Sequence, residues 1–302
     1  MSIYVEILVR APMDALWSRT QTPALHERWD LRFSRIEYLP RNGESEPQRF
    51  QYATRIGFGL EISGKGETVG RRDSTDGSST SALKFGSDEP LSIIREGSGY
   101  WKYIPTDDGV RFLTWYDYRT RFGAVGAYFD RLIFRPLIGW ATAWSFDRLR
   151  LWLEQDVAPE HAIRQWLIHT ISRVALAAVF IYHGLIPKLL TRNGDEIAMV
   201  RDAGLAAGTA ASVVTALGIL ELSFAAALLV AWNRRWPLFV CLALMLIATA
   251  AVGMNSPRYF GAAFSPFTLN LAVACLASID LLVVGSIPSA ARCLRRPVSE
   301  KV

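Results

Sequence analysis

The chain has few of the residues that build metal centres or disulfide frameworks. It contains three cysteines and four histidines in 302 residues. Cys241, Cys275 and Cys293 show no C-x-x-C spacing, and two of them lie inside long apolar runs. We therefore expect no metal site and no disulfide, and we interpret the cysteines as small packing residues.

The first half of the chain also lacks an excess of positive charge. Residues 1–164 contain 22 Lys/Arg and 22 Asp/Glu, whereas the rest contains 11 and 6, which accounts for the net charge of +5. Binding to a phosphate backbone needs clustered Lys and Arg. We therefore predict no nucleic-acid partner.

A secretory signal is missing from the first residues. MSIYVEILVRAP has neither a basic start nor a sufficient apolar run, and a signal peptide needs both. We expect the first half to remain in the cytosol.

Long apolar runs are confined to the second half. A bilayer core is crossed by about 20 apolar helical residues, and four runs have that length: 168–190, 209–232, 236–255 and 266–287. They predict a membrane domain at 166–290 after a linker at 156–165, with a cytoplasmic tail at 291–302.

The positive charges beside these spans predict their orientation. Lys and Arg are enriched on the cytoplasmic side of a membrane, and eight flank one side: Arg164, Arg173, Arg234, Arg235, Arg292, Arg295, Arg296 and Lys301. The other side has four: Lys188, Arg192, Arg201 and Arg258. We predict a multi-pass protein of the cytoplasmic (inner) membrane with both termini in the cytoplasm.

One acid, Glu221, lies in the middle of the second span. An ionisable group at that depth is costly unless it faces other helices and finds a partner. We predict that Glu221 meets His183 or Arg173. The intramembrane polar residues we single out are His183, Lys188, Glu221, Arg173, Asn270 and Asp280. They form either a structural clasp between helices or a site for a ligand, a proton or a redox cofactor.

Short alternating segments fill the first half. A strand at 3–9 is followed by short helices at 13–19 and 24–29, then by strands at 32–39, 49–56, 60–69, 79–86, 92–104 and 110–122. Turn residues such as Asn42-Gly43 and Asp108-Gly109 separate them. A helix at 125–153, broken near Pro136, carries Phe129, Ile133, Trp140, Trp144 and Leu151 along one side. The pattern predicts an α+β domain whose antiparallel sheet is covered by this helix.

No catalytic constellation is visible by spacing in this half. His26 and His161 are its two histidines, and Glu61 and Glu67 are the remaining candidates for proton transfer. We assign no catalytic residue and leave open whether the protein is an enzyme.

The order of elements, with Val9, Ala11, Pro12, Asp14, Leu16 and Trp17 at its start, resembles the START-like helix-grip fold of the polyketide cyclase/dehydrase and lipid-transport superfamily. The resemblance covers residues 1–155 and implies a cavity between sheet and long helix. The residues expected to line it are Tyr52, Tyr103, Phe112, Tyr116, Tyr118, Trp140 and Trp144. Phe58 is a further aromatic residue of this half. The alternative is that these rings only fill a core.

The second half resembles the DoxX-like family of four-helix membrane proteins over residues 165–287. The resemblance is carried by Tyr182-His183-Gly184-Leu185 with Pro187-Lys188, by Gly218-Ile219-Leu220-Glu221, and by Ser265-Pro266-Phe267 with Leu269-Asn270-Leu271. It implies the four-helix architecture and a site at His183, Lys188 and Glu221. A relative is associated with quinone-linked thiosulfate oxidation, and no cysteine pair, haem spacing or flavin motif extends that activity to this chain.

Three functions stay open. In the first, the cytosolic START-like domain binds a lipid, isoprenoid or quinone beside its membrane anchor, so that membrane lipids and a hydrophobic small molecule are the partners. In the second, the chain is a DoxX-type membrane subunit of a quinone-linked oxidoreductase with a redox partner subunit. In the third, it is an interaction or scaffold protein without a ligand.

Overall fold

The computed structural model describes residues 2–41, 43, 46–57 and 59–297. The sequence predictions at Asn42, Phe58 and residues 298–302, including Lys301, lie outside the described residues. The chain forms two compact units: residues 1–162 together with 288–302, and residues 163–287.

The first unit is built on one antiparallel sheet of seven strands in the order β1-β7-β6-β5-β4-β3-β2. Neighbours in sequence pair as hairpins, and β1 closes against β7 with Ile3 opposite Tyr116. The predicted α+β class is confirmed. The strands are β1 Ile3–Val9, β2 Arg35–Tyr38, β3 Arg49–Gly57, β4 Leu60–Asp73, β5 Ser79–Gly86, β6 Ile94–Thr106 and β7 Gly109–Thr120.

Helices cover one face of this sheet. They are α1 Met13–Gln21, α2 Pro23–Trp29, α3 Gly123–Phe129, a π-helix at Asp130–Phe134 and α4 Arg135–Gln155. The break expected at Pro136 thus lies just before it, where wider π-helical turns accommodate a residue that has no N–H to donate. Further along α4, Phe146 stacks on Phe112 with ring centroids 4.5 Å apart.

The apolar stripe predicted along this helix is only half correct. Trp144 and Leu151 are buried, but Phe129 and Ile133 are exposed. The unit therefore carries an apolar surface, which we call the α3 surface, formed by Val125, Tyr128, Phe129, Leu132, Ile133 and Leu137. This surface extends from α3 through the π-helix into the first turn of α4, and the part of α4 that packs on the sheet follows it.

The segment after the last span belongs to the first unit and corrects the predicted tail for residues 291–297. Leu294 and Glu6 exchange two backbone hydrogen bonds of 2.9 Å. Buried Asp147 accepts hydrogen bonds from Ser289 N at 2.8 Å and Arg292 Nη1 at 2.9 Å. Asp147 is also paired with Arg150. The segment after the last span therefore adds a second arginine and a backbone N–H to the partners of this buried carboxylate.

The second unit is entirely helical. Four of its helical stretches are long and apolar enough to cross a membrane: Pro159–Leu190, Ala207–Val230, Trp236–Asn255 and Pro266–Val283. The elements are α5 Pro159–His183, a π-helix Gly184–Leu190, α6 Gly194–Asp202, α7 Ala207–Val230, α8 Trp236–Asn255, a 3₁₀-helix Pro257–Gly261 and α9 Pro266–Val283. Because Pro159 starts α5 at a position that suits proline, only residues 156–158 of the predicted linker lie outside helices.

Glycines lie directly opposite aromatic residues at four places in the sheet. The cross-strand pairs are Gly64 with Tyr52, Gly66 with Phe50, Gly97 with Phe85 and Gly99 with Tyr116. A Cβ atom on Gly99 would lie 2.4 Å from Tyr116 Cβ and 2.5 Å from the Trp115 carbonyl oxygen. A glycine in a strand interior often marks such a close approach, and here it leaves room for the aromatic ring opposite.

These contacts predict that Gly99→Ala lowers the free energy of unfolding by about 1–3 kcal/mol, the usual cost of overpacking. The Trp115 backbone cannot withdraw without breaking strand pairing. Gly70→Ala, on β4 with nothing within 4 Å of its Cβ, is the matched control and should be close to neutral. Thermal unfolding of the detergent-solubilised protein, followed by tryptophan fluorescence, measures both. Equal midpoints for the two variants would contradict the packing argument.

Candidate functional site

The first unit contains a cavity of about 160 Å³ under the helices. Its wall is mostly aromatic and aliphatic, with a polar group at one end. The lining residues include Gln21, His26, Arg32, Phe33, Ile36, Phe50, Tyr52, Thr68, Leu83, Phe85, Trp101, Thr114, Tyr116 and Ile138.

The polar end is a trio of charged and titratable side chains centred on Asp30. Arg32 donates from Nε to Oδ1 at 2.9 Å and from Nη2 to Oδ2 at 2.6 Å. His26 Nε2 lies 3.0 Å from Asp30 Oδ2. The Asp30 side chain is 0% exposed, and those of His26 and Arg32 are 12% and 13% exposed. The end of α2 brings the three side chains together. His26 lies one helical turn before Asp30, and Arg32 lies two residues after it.

The charges in this trio are mutually stabilised. Burial alone would raise the pKa of Asp30, but the charge and hydrogen bonds of Arg32, with a hydrogen bond from His26, hold it well below its usual range. The pKa of Arg32 is raised because the attraction of Asp30 outweighs burial. Asp30 is therefore a carboxylate and Arg32 a guanidinium.

Aromatic rings surround His26. Its ring stacks on Trp29 at 4.9 Å and meets the edges or faces of Phe33 at 5.2 Å and Trp101 at 5.0 Å. On the opposite wall, burial raises the pKa of Tyr52 to about 12, and its hydroxyl donates to the Gly86 carbonyl at 3.2 Å. Tyr52 is thus a neutral hydrogen-bond donor at any ordinary pH.

Of the seven residues expected to line the cavity, Tyr52 and Tyr116 do so. The prediction is wrong for the others: Tyr103 and Phe112 are in the filled core, and Tyr118 donates to Asp130 at 2.6 Å. Trp144 is buried outside the cavity and Trp140 is 38% exposed. Strand alternation identified the correct sheet face, but part of that face is packed solid against α4.

The polar end was missed by sequence reasoning, which judged His26 without its neighbour. A signal was present, because His26 and Asp30 are four residues apart and so share one side of a helix. The other candidates for proton transfer are not in the cavity wall. Exposed Glu61 pairs with Arg55 at 3.1 Å on neighbouring strands, and Glu67 lies opposite Arg49 in the sheet.

In the membrane unit, the expected partner of Glu221 was wrong. Glu221 Oε1 lies 3.1 Å from Lys188 Nζ, which also lies 3.2 Å from Glu196 Oε1. His183 is next in sequence to the π-helix that carries Lys188 and makes a ring contact with Tyr182. Of the three residues implied as a site, Lys188 and Glu221 form an ion pair, and His183 does not take part in it. Glu196, which was not predicted, is a second partner of Lys188.

A close helix crossing supports this ion pair. The Cβ that Gly184 lacks would lie 2.7 Å from the Gly218 carbonyl oxygen, and that of Gly218 would lie 2.8 Å from the Gly184 carbonyl oxygen. Small residues allow helices to approach in this way. Because Gly184 opens the π-helix, the approach and the change of helical pitch occur together, as is common at functional sites.

Arg173 pairs with Asp280, not with Glu221. Arg173 Nε lies 2.7 Å from Asp280 Oδ2 and His169 Nδ1 lies 2.5 Å from Asp280 Oδ1, and all three side chains are 0% exposed. Arg173 Nη2 also donates to the Arg234 carbonyl at 2.5 Å. Asn270 is separate and donates to Thr249 Oγ1 at 3.0 Å. Five of the six predicted polar residues thus belong to two ionic clusters and one neutral pair, and His183 contacts the Tyr182 ring instead.

The described part of the chain has no cluster of side chains that could bind a metal ion. No group of three or more His, Cys, Asp or Glu side chains that could hold a metal ion occurs among residues 2–41, 43, 46–57 and 59–297. Cys241, Cys275 and Cys293 are free thiols.

The chain thus combines an antiparallel sheet and its helices with four helices long and apolar enough to cross a membrane, which indicates a multi-pass membrane protein. The model of the DoxX-like family matches residues 177–278, which confirms that resemblance for most of the membrane unit. The chain belongs to the family of the uncharacterized membrane protein YndG of Bacillus subtilis (strain 168). The two are 45% identical over 235 residues, 78% of this chain and 79% of the relative.

Solved structures similar to the chain include a STAR-related lipid transfer protein from Xanthomonas axonopodis, 16% identical, covering 50% of this chain and 85% of that one with a TM-score of 0.39. The Zhui aromatase/cyclase from Streptomyces sp. R1128 is 15% identical and covers 49% of this chain and 95% of that one with a TM-score of 0.34.

The buried cluster in the membrane unit predicts that Asp280→Asn destabilises the protein by about 3–5 kcal/mol, because Arg173 is left buried without an opposite charge. Replacing both charges, Arg173→Met with Asp280→Leu, should recover most of that loss. Asp195→Asn, at an exposed position in the first turn of α6, is the control and should cost less than about 1 kcal/mol. Denaturation in detergent micelles measures all three. A single Asp280→Asn variant as stable as the control would show that the cluster holds nothing together.

Proposed function

We propose that the START-like unit binds a hydrophobic small molecule while the four-helix unit anchors it in the membrane. The observation that carries this proposal is the cavity, whose wall of Phe33, Phe50, Phe85 and Trp101 suits an apolar ligand. Ligand sites are typically concave and apolar with a few placed polar groups. The trio at Asp30 supplies those groups.

The size of the cavity limits the ligand. A cavity of about 150 Å³ takes a molecule such as benzene, and this one measures about 160 Å³. Of the three ligand classes considered, the ring of a quinone or the end of an isoprenoid fits this space without rearrangement. The two acyl chains of a phospholipid do not.

The α3 surface supports access from a bilayer. Val125 and Tyr128 are 78% and 69% exposed, and Leu132 and Leu137 are more than half exposed. Contiguous exposed apolar side chains mark surfaces that meet a membrane or another protein. A ligand that partitions into lipid would then be taken up beside the membrane that holds the chain.

The proposed location is the cytoplasmic membrane with both termini inside. Residues 288–297 fold into the same unit as residues 2–162, so the chain must enter and leave the membrane unit on one side. Four crossings meet that condition. The excess of Lys and Arg on this side favours the cytoplasm.

The ligand proposal predicts that the purified full chain carries or binds an apolar molecule that a larger side chain in the cavity displaces. Leu83→Trp fills the cavity wall, and Leu91→Trp, at a position 67% exposed, is the matched control. Native mass spectrometry of both variants with duroquinone, geraniol or oleic acid added separates the ligand classes. We expect wild type and Leu91→Trp to bind the quinone or the isoprenoid and Leu83→Trp to bind neither.

If wild type and Leu83→Trp bind all three compounds equally, the cavity is not the site. Turnover of duroquinone together with a copurifying subunit would instead favour the oxidoreductase alternative. A wild-type chain that binds no compound would favour the scaffold alternative.

The orientation proposal predicts opposite labelling of two single-cysteine variants in a cysteine-free background. Gly194, at the start of α6, has open space around it, and Asp107 lies exposed in the β6–β7 turn. A membrane-impermeant maleimide should label Gly194→Cys in intact cells and Asp107→Cys only after lysis. The reverse pattern would place both termini outside.

A further inference from the structure

We infer that the polar end of the cavity binds the hydroxyl group of a phenol or enol, with His26 accepting its proton in a hydrogen bond and Arg32 donating to its oxygen. This inference rests on the proposed function and names the class of ligand.

The tautomer of His26 follows from its partner. Asp30 is a carboxylate and can only accept hydrogen bonds, so His26 Nε2, at 3.0 Å, must carry the proton between them. In the neutral imidazole the other nitrogen, Nδ1, is then an acceptor. No hydrogen bond to Nδ1 forms among the residues that the structure describes. In this tautomer His26, which lines the cavity, has the lone pair of Nδ1 for a ligand hydroxyl.

Arg32 supplies the complementary donor. Its Nε and one Nη2 proton are held by Asp30, and a guanidinium has five N–H groups in all. One of the three that remain interacts with the Tyr116 hydroxyl, which leaves two for a ligand. Tyr116 cannot take the donor role. The single proton of Thr142 goes to the Ile138 carbonyl at 2.8 Å, so the Tyr116 hydroxyl, 2.9 Å from Thr142, donates to Thr142 and presents only lone pairs to the cavity.

The net charge at the polar end of the cavity favours a ligand hydroxyl over a ligand carboxylate. The charges of Arg32 and Asp30 cancel, so this pair has no net charge to offer an ionic ligand. A carboxylate ligand would bring an uncompensated negative charge into an apolar space, which is expensive. A phenol or enol adds no charge and both donates and accepts, which matches an acceptor and a donor side by side.

The surroundings favour a ring. His26 lies between Trp29, Phe33 and Trp101 with centroid distances of 4.9 to 5.2 Å, and aromatic rings pack well on such walls. A cavity of about 160 Å³ holds one ring with a small substituent.

The test compares 4-fluorophenol with 4-fluorotoluene, which differ by a hydroxyl in place of a methyl group. Fluorine NMR gives the dissociation constant of each for the full chain in detergent, and Leu83→Trp gives the background from partition into micelles. We expect wild type to bind 4-fluorophenol about tenfold more tightly, the factor supplied by one hydrogen bond to a polarised partner. 4-Fluorobenzoate should bind more weakly than the phenol.

His26→Phe keeps an aromatic ring between Trp29 and Trp101 but removes both nitrogens, so it should abolish the preference and leave 4-fluorotoluene binding intact. Leu91→Trp, at an exposed position outside the cavity wall, should keep the preference. The wild-type comparison stands even if His26→Phe does not fold.

Equal binding of phenol and toluene by wild type, or tightest binding of the benzoate, would overturn this inference and leave the proposed function in place. If neither neutral probe binds above the Leu83→Trp background, the proposed function fails and this inference fails with it.

Discussion

A carboxylate removed from water must be neutralised where it lies, and each unit does this with one arginine and one histidine. Asp30 is held by Arg32 and His26 in the first unit, and Asp280 by Arg173 and His169 in the membrane unit. In both cases removing the arginine or the aspartate leaves a buried charge without its partner. In the membrane unit this requirement ties α5 to α9, and in the first unit it ties α2 to the residues that follow its end.

The two trios differ in what lies next to them. The side chains of Asp280, Arg173 and His169 are 0% exposed, and Arg173 also donates to the Arg234 carbonyl. This trio joins α5 to α9. In the trio at Asp30, the His26 and Arg32 side chains line a cavity. The same set of side-chain types is therefore enclosed in one unit and borders a cavity in the other.

The shape of the cavity comes from the register of the sheet. Glycines opposite Tyr52, Phe50, Phe85 and Tyr116 leave space in which these rings lie over the neighbouring strand, and all four rings line the cavity. A side chain at those glycines would force the rings away. Cross-strand pairing thus controls how much room remains beneath the helices, and that room restricts the ligand to about one ring.

Periodicity and length determined the elements of this protein from sequence alone. Strands at 3–9 and 79–86 and a span at 236–255 were predicted with their observed bounds, because alternation, turn residues and apolar length act locally. Only the tertiary structure decided the partners of buried charges and the division of the sheet face into core and cavity. Lys188 meets Glu221, Arg173 meets Asp280, and Leu294 joins β1, since such contacts depend on where distant segments are brought together by packing.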